Sequence, residues 1–114
     1  MTAAGYVPDR GEVVWLDFDP QAGHEHAGRR PAFVLSPRNY NKKTSLMLCC
    51  PITSQVKGYP FEVAVAGVTT VRGVILADQV KSLDWQVRRA EKGGRASRGV
   101  LEEVILKVRA ILEG

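Results

Sequence analysis

Glu12-Val13-Val14-Trp15-Leu16-Asp17-Phe18 is a β-branched and aromatic run with apolar side chains at odd and even positions alike. Such a run suits a strand buried on both faces better than one with a single wet face, whose sequence alternates. It ends at Asp19-Pro20, and the next clear apolar run begins only after Pro31. Residues 21–30 therefore read as a long polar loop containing two glycines and two histidines, and loops of that length in small domains are often functional.

Working outward, residues 32–35 predict a second strand. Ser36-Pro37 then offers an N-cap followed by a first-turn proline, which predicts a short helical turn over residues 38–41. Residues 46–51 predict a third strand, and 52–60 a polar connection to a fourth strand over 61–65. A turn at Ala66-Gly67 leads back to strands over 73–76 and 79–82. The period changes near the end. Leu101, Val104, Ile105, Val108, Ile111 and Leu112 follow helical spacing, with Ser97 as the expected N-cap, acids in the early turns and Lys107 and Arg109 later. The expectation is one mainly β, barrel-like domain over residues 1–114, closed off by a C-terminal helix.

Bulk composition agrees with a single packed domain: 114 residues, 45% of them hydrophobic, and charged residues of mixed sign at 25%. The formal net charge of +4 favours a polyanionic partner without requiring one. Residues 37–60 hold Arg38, Lys42, Lys43 and Lys57 with no acid, and Arg88, Arg89, Lys92, Arg95 and Arg98 face only Glu91. Each stretch is either solvated loop charge or part of a phosphate-facing surface. Cys49 and Cys50 are adjacent, point to opposite faces of a strand and cannot bridge each other, so they read as reduced thiols, at least one in the core. With no signal-peptide pattern and no segment long enough to span a bilayer, the expected compartment is the cytoplasm, away from any membrane.

The densest chemistry lies in Gly23-His24-Glu25-His26-Ala27-Gly28-Arg29-Arg30-Pro31. Arg30 stands where the loop meets the sheet, so its guanidinium fork can hold a phosphate in fixed geometry, or pair with Glu25 at the rim. His24 and His26 lack a third ligand nearby, and no metal or other cofactor is expected; acid–base work by either imidazole stays open. Thr53 and Ser54 follow a strand end and can meet Arg30 at one rim, as phosphoryl donors or as turn formers. Lys57 adds charge, and Tyr59 and Phe61 offer flat faces to bases or to the core.

Taken together, these residues resemble a known family. The run from Val7-Pro8-Asp9 through Trp15 to Pro20, the Gly23, Glu25 and Gly28 positions, Arg30-Pro31-Ala32 and Val34-Leu35-Ser36-Pro37 look like the start of MazF toxins, including the PemK-like members. The likeness continues through Pro51-Ile52-Thr53, Gln55, residues 57–62 and residues 73–82. It implies the small, strongly twisted antiparallel SH3-like barrel with a C-terminal helix shared by CcdB and MazF toxins, assembled as a homodimer. It implies an endoribonuclease of a type II toxin–antitoxin system that cuts single-stranded RNA without a metal, by 2′-hydroxyl attack on the adjacent phosphorus.

Carried over by position, Arg30, Thr53 and Glu25 are the implied catalytic residues. Phe18, Ser54, Lys57, Gln79 and Lys81 are the implied RNA-binding ones. The histidine on each side of Glu25 departs from the family pattern and opens a second acid–base assignment, and Arg29 competes with Arg30 for its role. The resemblance also implies a MazE-like antitoxin with a flexible acidic tail lying over the groove. Two other readings share the fold: a CcdB-like toxin that poisons DNA gyrase by binding it, and a non-catalytic RNA-binding barrel.

Overall fold

A computed structural model describes residues 5–18 and 28–114. Along the chain run β1 (Glu12–Asp17), β2 (Arg29–Val34), α1 (Arg38–Thr44), β3 (Leu46–Thr53), β4 (Glu62–Ala64), β5 (Val74–Leu76), β6 (Lys81–Asp84), β7 (Glu91–Arg95) and α2 (Arg98–Glu113). Every strand pairing is antiparallel, in the spatial order β4-β5-β3-β2-β1-β7. β6 also pairs with the first half of β3, and β5 with its end, both along the edge opposite β2. With β4 and β7 at its ends, the sheet is an open, twisted form of the barrel-like architecture.

β1 is buried on both faces, as its sequence predicts. Val13 joins Phe33, Cys50, Ile52 and Ile75 in a core that α2 covers with Val100 and Val104. Its neighbours Val14 and Leu16 point the other way, into a second core of Ala32, Val34, Met47, Cys49 and Trp85. Each cysteine of the adjacent pair is buried, one per core, and both are free thiols.

Several boundaries differ from expectation. Ser36 does not cap α1: its hydroxyl donates to Asn41 Oδ1 at 2.6 Å, while Pro37 occupies the N-cap position without a side-chain bond. Ser97 is the N-cap of α2, again with no side-chain bond. The acids of α2 stand in its early turns as expected, Glu102 and Glu103 following the first turn and pairing with Arg98 and Lys107. β6 starts at Lys81 instead of residue 79, because Gln79 donates its N–H back to Leu76 O in a turn. β7 carries no apolar pattern and was not expected at all.

β7 also corrects the second basic stretch. The Glu12 carboxylate is fully buried and accepts the Tyr6 hydroxyl at 2.8 Å and the Asp9 N–H at 2.9 Å. Arg95, Lys92 and Arg38 surround it at 3.4, 3.5 and 3.7 Å. Arg88 donates to the backbone carbonyls of Asp17 and Phe18, and Arg89 pairs with Asp17 at 3.0 Å. These cations serve internal acids and strand ends, so the stretch is not a free phosphate-facing surface. No helix among the described residues is long and apolar enough to cross a membrane.

Candidate active site

The loop expected to end at residue 30 is already strand by Arg29, and strand alternation separates the two arginines. Arg29 stands level with Asp17 of β1, donates to its Oδ1 at 3.2 Å and to Arg88 O at 3.3 Å, and pairs with the Glu91 carboxylate. Burial pushes the Asp17 carboxyl up, but the hydrogen bonds and charges of Arg89 and Arg29 outweigh it and hold it below the usual carboxylate range. Arg29 thus has a permanent counter-charge. Arg30, level with Leu16, is exposed and has no ion-pair or hydrogen-bond partner among the described residues.

Thr53 is the last residue of β3. β2 and β3 pair Val34 with Cys49 and Ala32 with Pro51, and just beyond that last pair Arg30 and Thr53 line the same two depressions. Thr53 Oγ1 accepts the Gln55 N–H at 3.1 Å, which leaves the hydroxyl proton able to turn toward a ligand. Gly73, at φ +128°, lets the start of β5 pass under this point: a Cβ there would lie 2.1 Å from Thr53 O.

Three depressions meet at Thr53. One, of about 290 Å³, runs past Arg30 to Phe18, Gln79 and Lys81. A second, of about 200 Å³, holds Lys57, Tyr59, Phe61, Asp78 and Gln79. The third, of about 540 Å³, holds Arg30, Ser54, Gln55, Trp15 and Arg72. In the second, the Glu62 carboxylate accepts the N–H groups of Lys57 and Gly58 at 3.1 and 2.9 Å, fixing the loop so that Lys57 Nζ lies 5.9 Å from the Tyr59 ring centre. Arg30, Thr53, Ser54, Phe18, Lys57, Gln79 and Lys81, all singled out from the sequence, line this branched groove. Glu25, His24 and His26 lie outside the described residues.

Arg72 and Asp78 were not anticipated. Neither belongs to a periodic pattern, and only the pairing of β5 with β3 makes them neighbours of Thr53. Such a surface offers guanidinium, ammonium and hydroxyl donors, with aromatic faces beside them, to a bound polyanion. Among the described residues no group of three His, Cys, Asp or Glu is placed to hold a metal ion.

A family model described as PemK-like, MazF-like toxin of type II toxin-antitoxin system matches residues 9–112. The chain belongs to this family. The Escherichia coli K12 endoribonuclease toxin MazF is 50% identical over 107 residues, covering 94% of this chain and 96% of the relative. The crystal structure of MazF (Form-I) from Deinococcus radiodurans superposes with a TM-score of 0.85 at 56% identity, covering 96% of this chain and 99% of that one. The MazE-MazF (Form-II) crystal structure from the same organism gives 0.84 at 51% identity, covering 94% and 96%. The residues matched by the MazF-like family include every described strand and the whole described lining of the groove.

Proposed function

We propose that this chain is a MazF-type endoribonuclease toxin that cuts single-stranded RNA at a short sequence motif in the cytoplasm, without a metal, and so blocks translation. The observation that carries this reading is that Arg30 and Thr53, two donors, line the same two depressions at the branch point of a groove with cationic and aromatic walls. The 2′-hydroxyl attacks the adjacent phosphorus and loses its proton to a base, and the bond to the 5′-oxygen of the next nucleotide breaks. A 2′,3′-cyclic phosphate and a free 5′-hydroxyl result, the latter taking up a proton. Charge builds on the non-bridging oxygens, where Arg30 opposes it with a charge-assisted hydrogen bond and Thr53 with a neutral one. Glu25 is assigned as the base or as the group that orients Arg30, with His24 and His26 as the competing acid–base pair. Phe18, Ser54, Lys57, Gln79 and Lys81 would hold the strand on either side by stacking, phosphate pairing and base-edge bonds.

The MazE-MazF relative supports a MazE-like antitoxin, whose acidic tail we assign to the groove, and we further assign a homodimer, for which α2 offers exposed Leu106, Ile111 and Leu112. A gyrase poison of CcdB type gains no support from relatives named as endoribonucleases. The deciding experiment incubates the purified protein with long single-stranded RNA in excess EDTA and reads product ends by mass spectrometry. Cyclic phosphate and 5′-hydroxyl ends are expected, and intact RNA rejects the reading, leaving a silent RNA-binding barrel or a protein-directed toxin.

A further inference from the structure

Phe18, Lys57, Gln79 and Lys81 lie in two arms of the groove, whereas the third and largest arm, of about 540 Å³, shares only Arg30, Thr53 and Ser54 with the residues expected to act on RNA. It runs from Arg30, Thr53 and Ser54 to Trp15, Thr70 and Arg72, and among the described residues no acidic side chain lines it. Arg29 in its wall is neutralised by Asp17 and Glu91. Arg30 and Arg72 are not: both are exposed, and neither has an ion-pair or hydrogen-bond partner among the described residues. With no acid among its described lining, the depression gains positive potential from the exposed Arg72 beside Arg30, where a second anionic group would sit beside the first. Trp15 packs its ring partly against the α2-covered core, and its indole N–H bonds to no described residue. The strand beside it carries Gly93, where a Cβ would come 3.2 Å from Trp15 Cδ1 and Nε1, so glycine makes room for the indole. The volume lies in the range of about 300–1,000 Å³ typical of small-ligand pockets.

We propose that this arm is a nucleotide subsite beside the scissile position, in which Arg72 holds the neighbouring backbone phosphate and Trp15 offers its ring to the attached base. The subsite rests on the ribonuclease reading above. An acidic peptide would also be drawn to the charge, but the arm opens directly onto Arg30 and Thr53, so its occupant is continuous with whatever those two hold. A single strand threaded past Thr53 meets that condition.

The test measures binding of a single-stranded RNA made uncleavable by a 2′-deoxy group at the attacking position, across a salt series, for the parent, Arg72→Ala and Arg72→Lys. Arg72 is exposed, so neither substitution disturbs the core. Arg72→Ala should weaken binding about tenfold at low salt and flatten the dependence of log K on log salt by about 0.7. Arg72→Lys should restore that slope. An alanine variant with unchanged affinity and slope overturns the subsite while leaving the ribonuclease reading intact. So does one that loses affinity only for a glutamate-rich peptide, which would make the arm a peptide dock. A parent that neither binds nor cuts RNA rejects both.

Discussion

Arg29 and Arg30 show how one step along a strand divides labour between identical side chains. Arg29 is held by Asp17 and Glu91, whereas Arg30 is exposed and has no partner among the described residues. Arg30→Ala should therefore lower kcat/KM by a hundredfold or more, about 3 kcal/mol of barrier, in a single-turnover RNA cleavage assay. Circular dichroism and melting temperature should stay near those of the parent. Arg29→Ala should invert the pattern: it strands Asp17 with only Arg89 and costs stability, about 1 kcal/mol, before it costs chemistry. If Arg29→Ala abolished cleavage in a fully folded protein while Arg30→Ala did not, the assignment would pass to Arg29. For the general base, a His24→Ala/His26→Ala double variant should keep both limbs of the pH–rate profile if Glu25 serves. Loss of a limb between about pH 5 and 8 would hand the role to an imidazole.

At the scale of elements, β3 and β5 are joined so closely at Thr53 that the site depends on a residue with no side chain. Gly73→Ala places a methyl group 2.1 Å from Thr53 O at a φ of +128°, so the strands must separate. Destabilisation of more than about 1 kcal/mol is expected in urea melts, together with loss of cleavage. Retained activity at parental stability would show that β5 does not position Thr53. The same scale explains what could be read in advance. β1 and β3 announce themselves as short continuous apolar runs and α2 by its helical period, and the glycine before β5 stands in a turn-like setting. β7 is silent, since Glu91-Lys92-Gly93-Gly94-Arg95 takes its place through what it does for others. Lys92 and Arg95 neutralise Glu12 from β1, Gly93 makes room for Trp15, and Gly94 for Val68. Local sequence carries no trace of such duties. Likewise each of Arg30 and Thr53 looked ordinary alone. Their meeting follows from the pairing of β2 with β3, a long-range fact that the residues expressed only through family resemblance.

For the molecule as a whole, two cores share one sheet, and titration should loosen them at opposite ends of the pH scale. Burial raises the Asp9 and Asp17 carboxyls, yet hydrogen bonds and charges from Arg38, Arg95, Arg89 and Arg29 leave both below 3.8. Their stabilising contribution is complete above that value and is lost as pH falls through the lower folded ones. Burial, with smaller charge effects, pushes the Cys49 and Cys50 thiols from 9.0 up to about 12. Their contribution is complete below 9.0 and drains away as pH climbs toward about 12, so urea midpoints should fall across that alkaline window. A Cys49→Ala/Cys50→Ala protein should show a smaller fall, and an equal one would assign it to other groups. Because the two thiols are sequence neighbours sealed in different compartments, they form a pair of clocks. Under a slow alkylating reagent, equal labelling rates would mean the compartments open in one event, and unequal rates would name the half that breathes first.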